Sequence, residues 1–138
     1  MSIHEQEVIK TEYYSEAMRY MDNAKECLEK TTIENNRYRD SKYVRMACGT
    51  AYSGVLIGLD GFFILKGITQ TRRNKKLRKS IEFYQENLSK IDKKMLDCLI
   101  DTYKILYLIG YYDGIQNVTV INEGFKLAKI LINKIKPI

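Results

Sequence analysis

The run Ala47–Leu65, ACGTAYSGVLIGLDGFFIL, is the one long segment of the sequence that is apolar on nearly every side. A helix of that character has to be surrounded, so the rest of the chain must be arranged around it. It also carries Gly49, Gly54, Gly58, Gly61 and a lone acid, Asp60. Each glycine in a helix interior costs about 1 kcal/mol relative to alanine, so a gain is needed elsewhere. Helical spacing puts Ala47, Ala51, Gly54, Gly58 and Gly61 in one narrow stripe, and small residues let another backbone come close; close packing is the expected gain. Asp60 falls away from that stripe, on the side of Ser53.

The helix is expected to start at Asp40 or Ser41, either of which can accept a hydrogen bond from a first-turn amide, and to stop at Lys66 with Gly67 as terminator. Its length, roughly 38 Å at 1.5 Å per residue, would suit a membrane span. Tyr52, Ser53, Asp60 and the glycines weaken that reading, and apolar faces elsewhere in the chain need a partner. The expectation is a buried helix of a soluble bundle, with no membrane.

Those other faces follow the same period. Tyr14, Ala17, Met18, Met21, Ala24 and Leu28 mark a first helix from about Glu5 to Lys30. The polar stretch after it contains adjacent Asn35 and Asn36, which favour a turn. Leu77, Ile81, Tyr84, Leu88 and Ile91 mark a third helix with basic residues in its first turns. Asp92 caps a fourth, carrying Met95, Leu96, Leu99, Tyr103, Leu106 and Ile109, which ends in a GYYDG turn between Gly110 and Gly114. Asn117 or Thr119 opens a last helix with Ile121, Phe125, Ala128, Leu131 and Ile132 inward. The chain of 138 residues is therefore predicted to be one all-α domain over 1–138, an up-and-down helical bundle of about five helices, with 1–5 and 136–138 frayed.

Net charge locates a second feature. Residues 72 to 79, RRNKKLRK, hold Arg72, Arg73, Lys75, Lys76, Arg78 and Lys79; without those six the 23 basic residues fall to 17, equal to the 17 acids. The whole charge of +6 is thus local. Positive charge at a helix amino terminus opposes the macrodipole, so helix stability does not explain it. The cluster is a candidate surface for an acidic protein or RNA, although no aromatic residue is interleaved to stack on bases. Cys27, Cys48 and Cys98 are odd in number and widely spaced, which suggests free thiols. With acids where a signal peptide needs an apolar core, a cytoplasmic location is expected.

The catalytic inventory is thin. His4 is the single histidine and stands near the terminus, Asp97 and Asp101 are an i, i+4 pair of solvated character, and the glycines lie inside a helix where a phosphate loop would need them before one. No metal or cofactor is expected. Asp60 is the acid that an apolar environment would perturb; the alternatives are a functional carboxylate or one satisfied by a Tyr, Lys or Arg of a neighbouring helix. Tyr103, Tyr107, Tyr111 and Tyr112 gather near the end of the fourth helix, either as core with hydroxyls at the rim or as a cleft lined by phenols.

The order AMRYMDNAKECLEK, VRMACGTAYSGVLIGLDGFFILKG, a basic turn, IEFYQENLSKI, and YLIGYYDG followed by INEGFKLAKILINKI resembles the HEPN superfamily of small helical bundles. The resemblance implies the bundle, a homodimer, and a groove near Tyr111, Tyr112 and Asp113; Asp60 and Tyr107, singled out above from their own surroundings, are further groove candidates. Many members are ribonucleases that use an Arg, four to six arbitrary residues and a His before the last helix. Tyr107 to Gly114 contains neither, and Arg73 has no His after it, so no catalytic residue carries over. Other members accompany nucleotidyltransferase domains, which makes such a domain a partner by analogy.

These features point to a non-enzymatic interaction or regulatory module that self-associates. The alternatives are an RNA-binding or degenerate ribonuclease-like protein using the basic cluster, and, more distantly, an enzyme acting through Asp60 and the tyrosines. If the cluster binds RNA, neutralising Arg72, Arg73, Lys75 and Lys76 together should lower affinity at least tenfold at low salt and flatten its salt dependence. Filter binding across a salt series reads this out, and unchanged affinity would remove the RNA reading.

Overall fold

The computed structural model describes residues 1–68 and 80–138. The described chain forms α1 (Ile3–Leu28), a hairpin of β1 (Ile33–Glu34) and β2 (Arg37–Tyr38), α2 (Ser41–Leu65), α3 (Ile81–Ile91), α4 (Lys93–Thr102) and α5 (Val118–Ile132). α4 runs on without a break into a π-helix, Tyr103–Tyr112, and α5 ends in a 3-10 turn, Asn133–Ile135. This is the all-α helical bundle, with one small two-stranded sheet added.

Local chemistry sets most of the boundaries. The Asp40 carboxylate accepts from Lys42 N at 3.0 Å and caps α2, whose far end is closed by Gly67 at φ +74°. Asp92 and Asn117 cap α4 and α5 by accepting from the amides of Met95 and Val120. Helix α1 starts at Ile3, slightly before the expected Glu5, because Ser2 caps it by accepting from Glu5 N.

Asn35 and Asn36 take φ values of 53° and 60°, the left-handed pair that a tight hairpin turn requires. The stretch expected as a plain connection is therefore a hairpin, pairing Ile33 with Tyr38 and Glu34 with Arg37. Its backbone continues the pairing to the α5 approach: Tyr38 N donates to Gln116 O, and Val118 N donates to Asn36 O. The Gln116 side chain also donates to the carbonyls of Tyr38 and Arg39. Two short strands gain stability here by docking on a third segment.

α2 lies at the centre. Val44, Ala47, Cys48, Ala51, Val55, Leu59 and Phe63 are buried, and α1, the π-helix and α5 pack around them. Although α2 is long and apolar enough to cross a membrane, over half of its most apolar window is covered by the rest of the fold.

The small-residue stripe serves two neighbours where the sequence suggested one seam. A Cβ on Gly54 would sit 3.1 Å from Ala17 O of α1, and one on Gly61 would sit 2.6 Å from Tyr13 Cβ, also of α1. Gly58 faces Ile132 of α5, with a Cβ falling 3.3 Å from Ile132 Cγ1. No single helix spans the stripe, because it looks into the junction where α1 and the end of α5 meet.

Two substitutions separate helix propensity from packing. Gly61→Ala should lower the stability by about 1–3 kcal/mol, since Tyr13 Cβ is fixed to the α1 backbone and has nowhere to move. Gly58→Ala gains the same propensity against a side chain that can give, and should change stability by less than about 1 kcal/mol. Urea unfolding of both variants checks the difference.

Candidate functional site

Among the described residues, the face of α2 that carries Gly49, Tyr52, Ser53 and Leu56 is only partly covered by its neighbours. Together with Tyr20 of α1, the residues Ser80, Ile81 and Glu82 that begin α3, and Tyr103, Tyr107 and Tyr111 of the π-helix, it lines a cleft of about 600 Å³. That volume is in the range of small-molecule sites.

The π-helix builds one wall. Its wider turn keeps residues four apart on one face, and the Asp113 amide reaches back five residues to Leu108 O at 2.9 Å. The rings of Tyr103 and Tyr107 consequently stack, with centroids 5.2 Å apart and planes at 11°, and Tyr111 extends the row 5.6 Å from Tyr107 at 33°. Tyr52 stands across from them, 5.2 Å from Tyr107 and 5.9 Å from Tyr103. The wall is seated by close contacts: Gly110 leaves room for the Cys48 side chain, and a Cβ on Gly49 would lie 2.8 Å from the Tyr111 ring. At the end of the π-helix the Arg45 guanidinium donates to the carbonyls of Tyr111, Tyr112 and Asp113, satisfying groups that a helix terminus leaves open.

Tyr52 is the deepest lining residue, 9% exposed. Among the described residues no fully buried polar side-chain atom lacks a hydrogen bond, and the Tyr52 hydroxyl has no protein partner, so its oxygen opens onto the cleft. Burial pushes its ionisation well above the ordinary phenol range, helped by Tyr103, Tyr107 and the Glu82 carboxylate. Tyr52 therefore presents a protonated hydroxyl. Glu82 is exposed at the rim and is the sole ionised side chain of the lining among the described residues.

The sequence candidates are divided by the fold. Tyr107 and Tyr111 line the cleft, as does Tyr103. Tyr112 is 69% exposed and is not part of the lining, and Asp113 is an exposed residue whose carbonyl is held by Arg45. Asp60 is elsewhere, on the α2–α3 contact, where it accepts from the Tyr84 hydroxyl at 2.9 Å. A tyrosine of a neighbouring helix thus satisfies it, and its charge, after burial, raises the pKa of Tyr13. Tyr84 is held in turn by stacking on Phe63, 5.7 Å away at 25°. Arg72, Arg73, Lys75, Lys76, Arg78 and Lys79 lie outside the described residues. His4, Asp97 and Asp101 are exposed, and among the described residues no three His, Cys, Asp or Glu side chains gather as metal ligands.

Sequence reasoning did not single out Tyr20, Tyr52 or Glu82. The four-residue spacing of Tyr103, Tyr107 and Tyr111 was a usable signal for the wall. Nothing local to Tyr20 or Glu82 marks them, since only packing brings their helices to the cleft.

A family described as "Domain of unknown function (DUF5618)" matches residues 12–137. Among solved structures, a protein of unknown function from Dyadobacter fermentans is 40% identical, with a TM-score of 0.79 over 91% of this chain and 94% of that one. No curated protein matches the sequence.

The buried thiol behind the π-helix yields a pH prediction. Burial pushes Cys48 up to about 12 from 9.0, so the folded state keeps a proton that the unfolded chain releases. Its contribution is complete below about pH 9 and is lost as pH rises toward 12, at up to about 1.4 kcal/mol per pH unit. Tyr52 acts in the same direction above pH 10. Urea midpoints should be level from pH 7 to 8 and fall from pH 9 to 10.5, with a shallower fall in Cys48→Ala.

Proposed function

The chain belongs to the DUF5618 family, whose description carries no activity, and we propose that it is a non-enzymatic binding module whose site is the tyrosine-lined cleft. The observation that carries this is the make-up of the lining: five tyrosines and two serines with one rim carboxylate. It offers stacking surface and hydroxyls, which suit recognition. Among the described residues, neither serine of the lining is hydrogen-bonded to a base, the pairing on which general acid–base or covalent catalysis relies. Asp60, held by Tyr84 away from the cleft, is not placed to supply one.

Self-association is part of the same reading. Leu108, Tyr111, Tyr112 and Ile115 are exposed apolar and aromatic groups close together in the chain, the kind of residue that protein interfaces favour. The three free thiols suit the cytoplasm. The finer kinship with HEPN bundles rests on the order of sequence segments, and a nucleotidyltransferase-type partner on that analogy. An RNA-binding role rests on the basic cluster and is tested separately by its neutralisation.

Protein-observed NMR with a mixed panel of aromatic amines, neutral aromatics, aromatic carboxylates and mononucleotides tests the site. At least one class should shift the signals of Tyr52, Tyr103, Tyr107 and Tyr111 and remain chemically unchanged. Silence at those residues across the whole panel, or turnover of the bound compound, would overturn the proposal. Light scattering across micromolar concentrations should show a dimer, and a strict monomer removes self-association.

A further inference from the structure

The cleft has a chemical polarity that narrows what it takes. Resting on the reading of the cleft as a binding site, we infer that its ligand is a planar aromatic molecule carrying a positively charged amine, the ring lying against Tyr107 and Tyr52 and the ammonium directed to Glu82. Three observations carry this. The row of Tyr103, Tyr107 and Tyr111 offers half-exposed ring surface in a concave site, where a flat apolar body buries most area. Tyr52 is nine-tenths buried with its hydroxyl unpartnered and open to the cleft, so a ligand atom that completes its hydrogen bond gains without displacing a protein partner. The third is charge. Among the described residues Glu82 makes no ion pair or hydrogen bond, and no Lys, Arg or His lines the cleft.

An anionic group entering this space would meet a carboxylate and the negative faces of tyrosine rings. A cation meets the same groups as attraction, since a ring face draws an ammonium electrostatically and the carboxylate adds to it. Neutral aromatics fit the shape and the stacking but leave Glu82 unused.

Tryptamine, indole and indole-3-acetate share one ring system and differ in charge, so calorimetric titration of the intact protein with each isolates the electrostatic part. Tryptamine should bind most tightly and indole-3-acetate at least about tenfold more weakly. Tyr52→Phe keeps the ring and removes the hydroxyl; it should weaken tryptamine about fivefold, the worth of one hydrogen bond. Glu82→Gln, at an exposed rim position that does not threaten folding, should bring tryptamine down toward indole and leave indole unchanged. Indole-3-acetate binding as well as tryptamine, or Glu82→Gln leaving the preference intact, would overturn the inference while the cleft remained a binding site. Shifts at the cleft tyrosines with mononucleotides and none with amines would do the same, whereas silence of every class at those residues removes both.

Discussion

Close approach to α2 is the constraint on which the rest of the structure depends. Gly54 and Gly61 admit α1 to near-contact with the α2 backbone, Gly58 admits the end of α5, and Cys48 occupies the space that Gly110 of the π-helix leaves free. Dispersion and hydrophobic gains fall off within fractions of an ångström, so these small residues set how much apolar surface each partner buries. The same residues are poor helix formers. Their cost in propensity is offset only because three helices converge on the one that carries them.

From that convergence the cleft follows. α1 is held against one side of α2 by the glycines, and the π-helix is held against another by the contact of Gly110 with Cys48. The face between them, with Gly49, Tyr52 and Ser53, is only partly covered by the described residues, and α3 begins across its mouth. A widened helical turn then presents tyrosines to the gap, with its open carbonyls closed by Arg45 from α2. Cleft and core are thus products of one arrangement: residues that pack the interior of α2 also orient its unpacked face. The hairpin at Asn35 and Asn36 contributes from outside by fixing the segment that joins the π-helix to α5.

The helices were largely legible because their signals are local. Asp40, Asp92 and Asn117 accept hydrogen bonds from amides two or three residues on, and Gly67 takes a conformation that other residues avoid, so the sequence displays these ends directly. The hairpin was half legible: Asn35 and Asn36 declared a turn, while strand pairing depended on Gln116 and Val118, some eighty residues away. The continuation of α4 through Tyr112 was hidden by Gly110, which looks like a stop and is instead a site of close packing against Cys48. Asp60 could be assigned a tyrosine partner in kind, and only folding chose Tyr84.

By itself the sequence determined the number of the main helices, the capped starts of α2, α4 and α5, the buried faces, the central place of α2 and the concentration of net charge at 72–79, because periodicity, capping and composition act over a few residues. Tertiary structure decided which neighbour each glycine serves, that Asp60 stands apart from Tyr107 and Tyr111, and that Tyr20, Tyr52 and Glu82 share one cleft. Those outcomes depend on how helices distant in sequence approach one another, and that is fixed by three-dimensional packing that no local pattern encodes.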